Sequence, residues 1–487
     1  MKLLKDILYG TPLLDVVGST NVAVASLAFD SRKVEKESLF VAIKGTESDG
    51  HDYIDMAIEK GARSVVCEKI PEEQHEKVTY MQVRDSHETL GKLSSNFYDN
   101  PSEKLKIIAV TGTNGKTTTA TLLYSLFQAL DHKSGLLSTV NIRIGKETVA
   151  ATHTTPDPIS INIHLKKMVE AGCKYCFMEA SSHGLAQKRT AGLKITGAVF
   201  TNISHDHLDY HKTFDDYILA KKLLFDGLSA DAFALVNADD RHGFTMLHHT
   251  KAKTYSFALK NDADFKTRIL EHQLDGMLLK MGTHELWTKL IGTFNAYNIL
   301  AIYAVALLLK QDELQVVTAI SNLKSVEGRF EYIKSPEGTT AIIDYAHTPD
   351  ALKNVLQTIK TIRGGANQVI TVVGCGGNRD KSKRPEMAKI ATNLSDRVVL
   401  TSDNPRHEDP DAIINDMEAG VEVHLKNRYI SITNREQAIK TAVQLSTPGD
   451  IILIAGKGHE KYQDVAGEKK PFDDFAMAQQ YLNPTPA

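Results

Sequence analysis

Apolar and polar positions along this chain fall into short alternating blocks. Residues 106–110 hold Ile107, Ile108, Ala109 and Val110 in an unbroken apolar run, which predicts a buried strand. From 119 to 130, Leu122, Leu123, Leu126, Phe127 and Leu130 recur at helical spacing and predict a helix with one apolar face. Strand-like runs return at 174–179, 196–200 and 232–236. Such alternation predicts a largely parallel sheet with ligands at the C-terminal ends of its strands. Ahead of this block, 22–29, 38–43 and 64–67 read as short strands of a separate unit, and Asn100-Pro101-Ser102 is a turn-rich junction. Beyond a second junction at Val326-Glu327-Gly328-Arg329, strands are expected near 340–344, 368–373, 397–401 and 450–454. The polar motifs of this third α/β unit follow directly on its strands.

Length and composition narrow the class without choosing a function. A chain of 487 residues predicts about three domains. A 42% hydrophobic and 24% charged composition is ordinary for α/β proteins. The net charge of −3 gives no electrostatic reason to expect nucleic acid or an anionic membrane as partner. No apolar run approaches a membrane span, and the N-terminus lacks a signal-peptide core. Four cysteines do not make a disulfide framework, so a reducing, cytoplasmic location is expected. Cys173 and Cys176 have CxxC spacing with no second pair to complete a zinc site, and read as core residues.

Between the strand at 106–110 and the helix at 119–130 lies Val110-Thr-Gly-Thr-Asn-Gly-Lys-Thr-Thr118. A Gly-rich turn between strand and helix cradles phosphate with backbone N–H groups and the helix N-terminus. Lys116 is placed to reach the terminal phosphates and Thr117 to hold Mg²⁺. The general pattern begins with Gly, and Val110 stands in that place. A bound nucleoside triphosphate is the expectation.

Two further strand ends carry polar chemistry. Glu179 closes one, followed by Ala180-Ser181-Ser182-His183-Gly184. The other leads into His205-Asp-His-Leu-Asp-Tyr-His211, with three histidines and two aspartates in seven residues. A carboxylate and an imidazole beside the phosphate loop can bind a metal on the triphosphate. A dedicated zinc site and a surface loop are the competing readings. In the next helix the apolar stripe runs through Phe214, Tyr217, Ile218, Leu224, Phe225 and Leu228. Lys221 lies on that stripe and Lys222 off it. A lysine on a buried face must be paired or modified, or else snorkel past the stripe to water.

Taken in order, the motifs resemble those of the Mur ligases, the ATP-dependent amide-forming family of peptidoglycan precursor synthesis. The resemblance covers essentially the whole chain. It runs through Asp30-Ser31-Arg32, the phosphate loop, His153-Thr-Thr-Pro156, the segments at Glu179 and Asp206, and Ala220-Lys221. It continues with Phe294-Asn295 and Asn298, Glu327-Gly-Arg329-Phe330, Asp344-Tyr-Ala-His347, and the segments at Gly374, Asp403 and Gly456. Within the family it is similar to the branch that adds the third residue of the stem peptide.

The resemblance implies three α/β domains: a small UDP-sugar-binding domain at 1–100, a central P-loop ATPase-like parallel-sheet domain at 101–328, and a Rossmann-like domain at 329–487. It implies Lys116, Glu179, His207 and Lys221 as catalytic, with Thr117, Glu179, His207 and Lys221 around Mg²⁺. Lys221 matches the lysine that the family carries as a carbamate formed with CO2. Gly112, Thr113, Asn114, Gly115, Lys116, Thr117 and Thr118 would cradle ATP, with Asn295 and Asn298 at the adenine and Arg329 and Asp344 at the ribose and phosphates. Phe29, Ser31, Thr154, Thr155, Ser181, Gln187 and Arg189 would hold the UDP-muramoyl dipeptide. Activation of the D-Glu side chain as an acyl phosphate would precede attack by an amine.

The implied amino acid is meso-diaminopimelate, with L-lysine as the alternative. They differ chiefly by one distal carboxylate. Asp403-Asn404-Pro405-Arg406 matches the diaminopimelate-type pattern, and an arginine can pair bidentately with a carboxylate. A guanidinium facing lysine's ammonium would repel it. Arg379, Gly456 and Glu460 match further positions for this substrate, Glu460 being suited to an ammonium. The chain is expected to act on these small molecules as a monomer. A P-loop NTPase switch or binding module is the competing class, with a metal-dependent hydrolase built on His205–His211 behind it.

Overall fold

The apolar runs at 38–41 and 64–67 form the middle of a five-stranded sheet. Its order is Asp15–Val17, Thr79–Gln82, Ser64–Cys67, Ser38–Val41 and Ser26–Ala28, parallel except for the first pair. The computed structural model describes residues 1–45, 48–151, 153–363 and 367–483. Helix Ser86–Phe97 covers this sheet and reaches the next unit. A Cβ at Gly91 would come within 2.4 Å of the Ala191 carbonyl, so only glycine allows that approach. Lys188 seals the contact through Asp85 at 2.7 Å and Glu88 at 2.8 Å.

The central sheet has eleven strands. Its parallel core runs Ser134–Leu137, Tyr175–Glu179, Lys106–Thr111, Gly197–Phe200, Phe233–Asn237 and Lys253–Ala258. Alternate residues feed two cores. Ile108, Val110 and Phe177 face the one containing Leu122, Leu123, Leu126 and Phe127, whereas Ile107, Ala109 and Met178 face the other. Helix Lys116–Ala129 therefore lies where its apolar spacing predicts. Antiparallel strands at Asn141–Ile144 and Glu147–Ala150 extend one edge; at the other, Phe265–Gln273 joins in parallel and is followed by Gly276–Met281 and His284–Thr288, each antiparallel to the strand before it. None of these extensions stands out in the periodicity.

The third sheet has six strands in the order Glu331–Lys334, Thr340–Asp344, Ile451–Ala455, Val369–Cys375, Arg397–Ser402 and Tyr429–Ser431. All pairs but the first are parallel. Ile451–Ala455, last of the six in chain order, inserts between the second and the third, bringing its end beside Val373 and Asp344. The three-sheet α/β architecture agrees with the expected fold class. Among the described residues no helix is long and apolar enough to cross a membrane. All four cysteines are buried and free, as core residues should be.

Two buried charges hold the third sheet and its junction. Arg435 donates from Nε and Nη2 to Asp474 at 2.8 and 2.7 Å, and from Nη2 to the Ala455 carbonyl at 3.0 Å. Both side chains are fully buried. The arginine thereby ties a helix, Asp474–Leu482, to the strand end that precedes Gly456. At the junction, Phe330 takes a left-handed φ of 49° and donates its N–H to Asp344 Oδ2 at 2.7 Å. Burial pushes the Asp344 carboxyl up to about 6, against the opposing pull of Arg329 and of backbone N–H donors.

Asp474→Ala strands a buried guanidinium and should cost about 3–5 kcal/mol, read as a lowered denaturation midpoint. The Asp344 prediction concerns pH. A carboxyl with a raised folded pKa favours the fold fully below its unfolded value of 3.8, and that contribution is lost as pH rises through about 6. Melting curves should show Asp344→Asn gaining on the parent by up to about 3 kcal/mol between pH 4 and 6.5. A pH-independent difference would refute the assignment.

Candidate active site

Strand register brings the candidate residues to one edge. Glu179 pairs with Val110, and Val110 with Val199 on its other side. The phosphate loop, Glu179 and the segment after Phe200 therefore start from the same level. Val110 is fully buried inside the strand, which explains the valine where the general motif has glycine: the turn begins only at Gly112. Gly112 has a φ of 152°, and a Cβ there would lie 1.9 Å from Thr201 Oγ1.

The loop is braced from the neighbouring strand end. Thr113 N–H donates to Asn202 O at 2.8 Å and Asn114 N–H to Asn202 Oδ1 at 3.0 Å. These two N–H groups thus support the loop, and the helix N-terminus from Lys116 onward, whose first N–H groups lack intrahelical partners, is the part left to face an anion. Gly115 caps that helix at a φ of 86°, with Thr118 buried in its first turn. Lys116 Nζ folds back onto the carbonyls of Gly112 and Thr113, each at 2.9 Å. Thr117 Oγ1 donates to Glu179 Oε2 at 2.9 Å, and Thr139 N–H donates to Glu179 Oε1 at 2.7 Å. Nothing in the sequence pattern pointed to Thr139.

Lys221 is 1% exposed, so it does not snorkel to water. Its Nζ donates to Gly112 O at 2.8 Å and lies 4.5 Å from the Tyr217 ring centre. Among the described residues it has no carboxylate in ion-pair reach. Burial first, then Lys116, holds its pKa well below the usual lysine range, with Asp206 opposing. Lys222 corrects the sequence expectation. It is buried too, and forms its ion pair with Asp226 one turn on.

His207 lies among His183 and Tyr217, with ring centres 4.8 and 6.1 Å away. Burial lowers its pKa against the pull of Asp206, with Lys116, His183 and Lys221 adding to the fall. The Asp209 side chain lies outside the described residues. Among the described residues no group of three or more His, Cys, Asp or Glu side chains gathers as a metal cluster.

Asn295 and Asn298 are buried on helix Thr293–Leu308. Asn298 Nδ2 donates to Asn295 Oδ1 at 3.1 Å, and Asn298 Oδ1 accepts from Thr119 at 3.2 Å. Arg329 reaches across from the third unit, donating to Thr117 Oγ1 at 3.2 Å and stacking 4.4 Å from the Tyr345 ring centre. Asp344 turns to its own junction backbone, as described above.

Around the dipeptide residues, Thr155 Oγ1 donates to Glu179 O at 3.0 Å and lies 3.1 Å from Ser181 Oγ. Thr154 Oγ1 accepts from Thr139 at 3.0 Å. Arg189 donates to Thr155 O at 2.6 Å and grips Gln187 Oε1 through Nε and Nη2. All these line one cleft of about 2530 Å³ together with the phosphate loop. Phe29 and Ser31 do not line it. Phe29 packs on the first unit's own core, and the Ser31 hydroxyl points to Met56 Sδ at 3.5 Å.

The cleft's far wall comes from the third unit. Arg379, Asp403, Asn404, Arg406, Gly456 and Glu460 line it, and Pro405 does not. Arg406 has a left-handed φ of 52° and donates Nη1 to Gly377 O at 2.7 Å. Among the described residues it has no carboxylate partner. Asn404 Nδ2 donates to Glu460 Oε2 at 2.8 Å. Gly456 is tight against this wall, since a Cβ there would lie 2.5 Å from Asp403 Oδ2. Tyr345, His347 and His459 also line the cleft, with burial pushing His459 down to about 3. Sequence reasoning quoted the motifs holding these three and gave them no role. The buried Lys457, in the same Gly456 motif, was likewise passed over.

Comparison with known proteins agrees across the chain. Residues 23–98 match the Mur ligase family catalytic domain, 110–306 the Mur ligase middle domain, and 328–458 the Mur ligase glutamate ligase domain. A Cytophaga hutchinsonii protein named UDP-N-acetylmuramoyl-L-alanyl-D-glutamate–2,6-diaminopimelate ligase is 55% identical over 99% of both chains. A Bacillus velezensis protein of the same name is 42% identical over 93% of both. A solved structure bearing that name is 31% identical, with a TM-score of 0.70 over 99% of this chain and 98% of its own. Three domains matched in order, together with relatives similar from end to end, show that the chain belongs to the Mur ligase family.

Proposed function

We propose that the chain is an ATP-dependent, ADP-forming ligase that joins meso-2,6-diaminopimelate to the D-glutamate of UDP-N-acetylmuramoyl-L-alanyl-D-glutamate, in cytoplasmic peptidoglycan precursor synthesis. One observation carries the reading: a single cleft has the phosphate loop on one wall and Arg379, Arg406 and Glu460 on the other. An activated acyl group and an amino acid can be held in the same cleft. The end-to-end relatives named for this reaction support it.

A carboxylate is a poor acyl donor because its oxygen leaves badly. In this reading the D-Glu side-chain carboxylate attacks the γ-phosphorus of ATP, ADP departs, and an acyl phosphate forms. Two anions must approach, so positive charge at the phosphates matters most in this step. Lys116 in the phosphate loop and Arg329, which donates to Thr117, supply it. The amine of diaminopimelate then attacks the carbonyl carbon, and phosphate leaves the tetrahedral intermediate while the amine loses its proton. Arg406 holds the distal carboxylate and Glu460 the distal ammonium, aiming the other amine at the acyl group.

The donor set fits Mg²⁺, a hard cation that prefers oxygen: Thr117 Oγ1 and the buried Glu179 carboxylate flank the phosphate site, with His207 nearby. When bound, Mg²⁺ would offset the phosphate charge. Lys221 fits the same site only after a change of charge. Its depressed pKa favours the neutral amine, which can add to CO2 and release a proton, giving a carbamate with two oxygen donors.

Purified protein should form the tripeptide with a higher kcat/KM for meso-diaminopimelate than for L-lysine, and ATP turnover should require both co-substrates. ATP hydrolysis without either would favour the switch reading instead. Arg406→Ala should cost on the order of 2–4 kcal/mol in kcat/KM for diaminopimelate; equal rates would remove its role. For Lys221, ¹³CO2 should give a carbamate carbon resonance that Lys221→Ala lacks, and the variant should lose most of its activity. Full activity in Lys221→Ala would end the metal-site argument.

A further inference from the structure

Lys457 is fully buried, yet it does not line the cleft. It lies behind the wall that carries Asp403, Asn404 and Glu460. Its Nζ donates to Asn404 Oδ1 at 2.9 Å and to Glu460 Oε2 at 3.3 Å, and lies 3.9 Å from Asp403 Oδ1. Among the described residues it is the cation within ion-pair reach of either carboxylate. Asn404 Oδ1 also accepts from Asp464 N–H at 2.9 Å.

These contacts decide how the wall is presented. With a lysine and a backbone N–H both donating to Asn404 Oδ1, its amide has one orientation, and Nδ2 must point to Glu460 Oε2. That oxygen then accepts from both Asn404 and Lys457, leaving Glu460 Oε1 for a ligand. A flexible glutamate becomes a carboxylate with one oxygen assigned. The charge matters as well. Lys457 sets a positive charge directly against the carboxylates of Asp403 and Glu460, on a wall that also carries Arg379 and Arg406. Such a wall suits a distal end bearing both carboxylate and ammonium, and repels one bearing ammonium alone.

We propose that Lys457 is the positioning residue that sets the amino-acid preference of this wall, by orienting Asn404 and Glu460 from behind and by offsetting the charge of Asp403 and Glu460. The proposal rests on the reading of this wall as the diaminopimelate site. Removing the lysine should loosen Glu460 and leave two carboxylates facing two arginines. Binding of the diaminopimelate end weakens, and the barrier against an ammonium alone falls.

The test is steady-state kinetics on the full chain, comparing the parent with Lys457→Met and Lys457→Arg. In Lys457→Met, KM for meso-diaminopimelate should rise at least tenfold while KM for ATP and for the UDP-muramoyl dipeptide stays within twofold. The kcat/KM preference for meso-diaminopimelate over L-lysine should fall at least tenfold. Lys457→Arg, which keeps the charge, should recover part of that preference. An unchanged KM and preference, or an equal loss for all three substrates, overturns the proposal. Circular dichroism melts of each variant separate misfolding from a binding effect, and if Lys457→Met does not fold, Lys457→Arg decides: an unaltered KM and preference there overturns the proposal, and a selective shift in either supports it. A parent enzyme that prefers L-lysine removes the reading of the wall itself, and the proposal falls with it.

Discussion

Level strand ends are the constraint on which the catalytic face depends. Glu179, Val110 and Val199 lie side by side, so the phosphate loop and its carboxylate emerge together. Side chains alternate along a strand, and a slip of one residue would put Met178 in the cleft and Glu179 in the core. Two apolar cores prevent that slip. Tyr175 and Phe177 are committed to one, Cys176 and Met178 to the other. The third sheet repeats the arrangement, with Ile342 and Ile343, Val373 and Val372, and Leu453 and Ile454 divided between its own two cores. Position of the chemistry is thus a by-product of packing far from it.

Charge is what that packing leaves unresolved. Lys116 and Lys221 both donate to the carbonyl of Gly112, at 2.9 and 2.8 Å. Two full positive charges that close, in a dry site, repel strongly. A polyanionic ligand relieves one of them, and loss or reversal of the charge on Lys221 relieves the other. Arg329 adds a third cation, donating to Thr117 Oγ1. The site therefore gathers positive charge whose natural complement is a triphosphate approached by a carboxylate. Domain approach and substrate charge are coupled here, since Arg329 belongs to the third unit and Thr117 to the second.

How much of this the sequence disclosed depends on locality. The phosphate loop, the helix behind it and the buried Lys221 were legible because each is set by spacing within a few residues. The helix stripe that placed Lys221 inward failed for Lys222, whose ion pair with Asp226 hides it, a contact that apolar spacing does not register. Thr139 could not be found, because its backbone meets Glu179 across forty residues of chain with no side-chain chemistry to mark it. The first unit shows the opposite limit. Phe29 and Ser31 carry a family motif, yet they stand off the cleft, because a motif conveys residue types and not the distance between units. The extensions from Phe265 to Thr288 escaped since half-exposed strands with mixed polarity lack a clean period.

Two of the buried lysines, Lys457 and Lys221, set out the remaining logic. Lys457 sits among two carboxylates and an amide oxygen, so its burial is compensated. Lys221 has a carbonyl, an aromatic face and another lysine, so its burial is not compensated and its charge is the unstable quantity. Lys457 stands behind Asp403, Asn404 and Glu460, whereas Lys221 stands beside the phosphate loop with its charge opposed by burial and by Lys116, and the difference follows from the neighbours that the sheet edges supply.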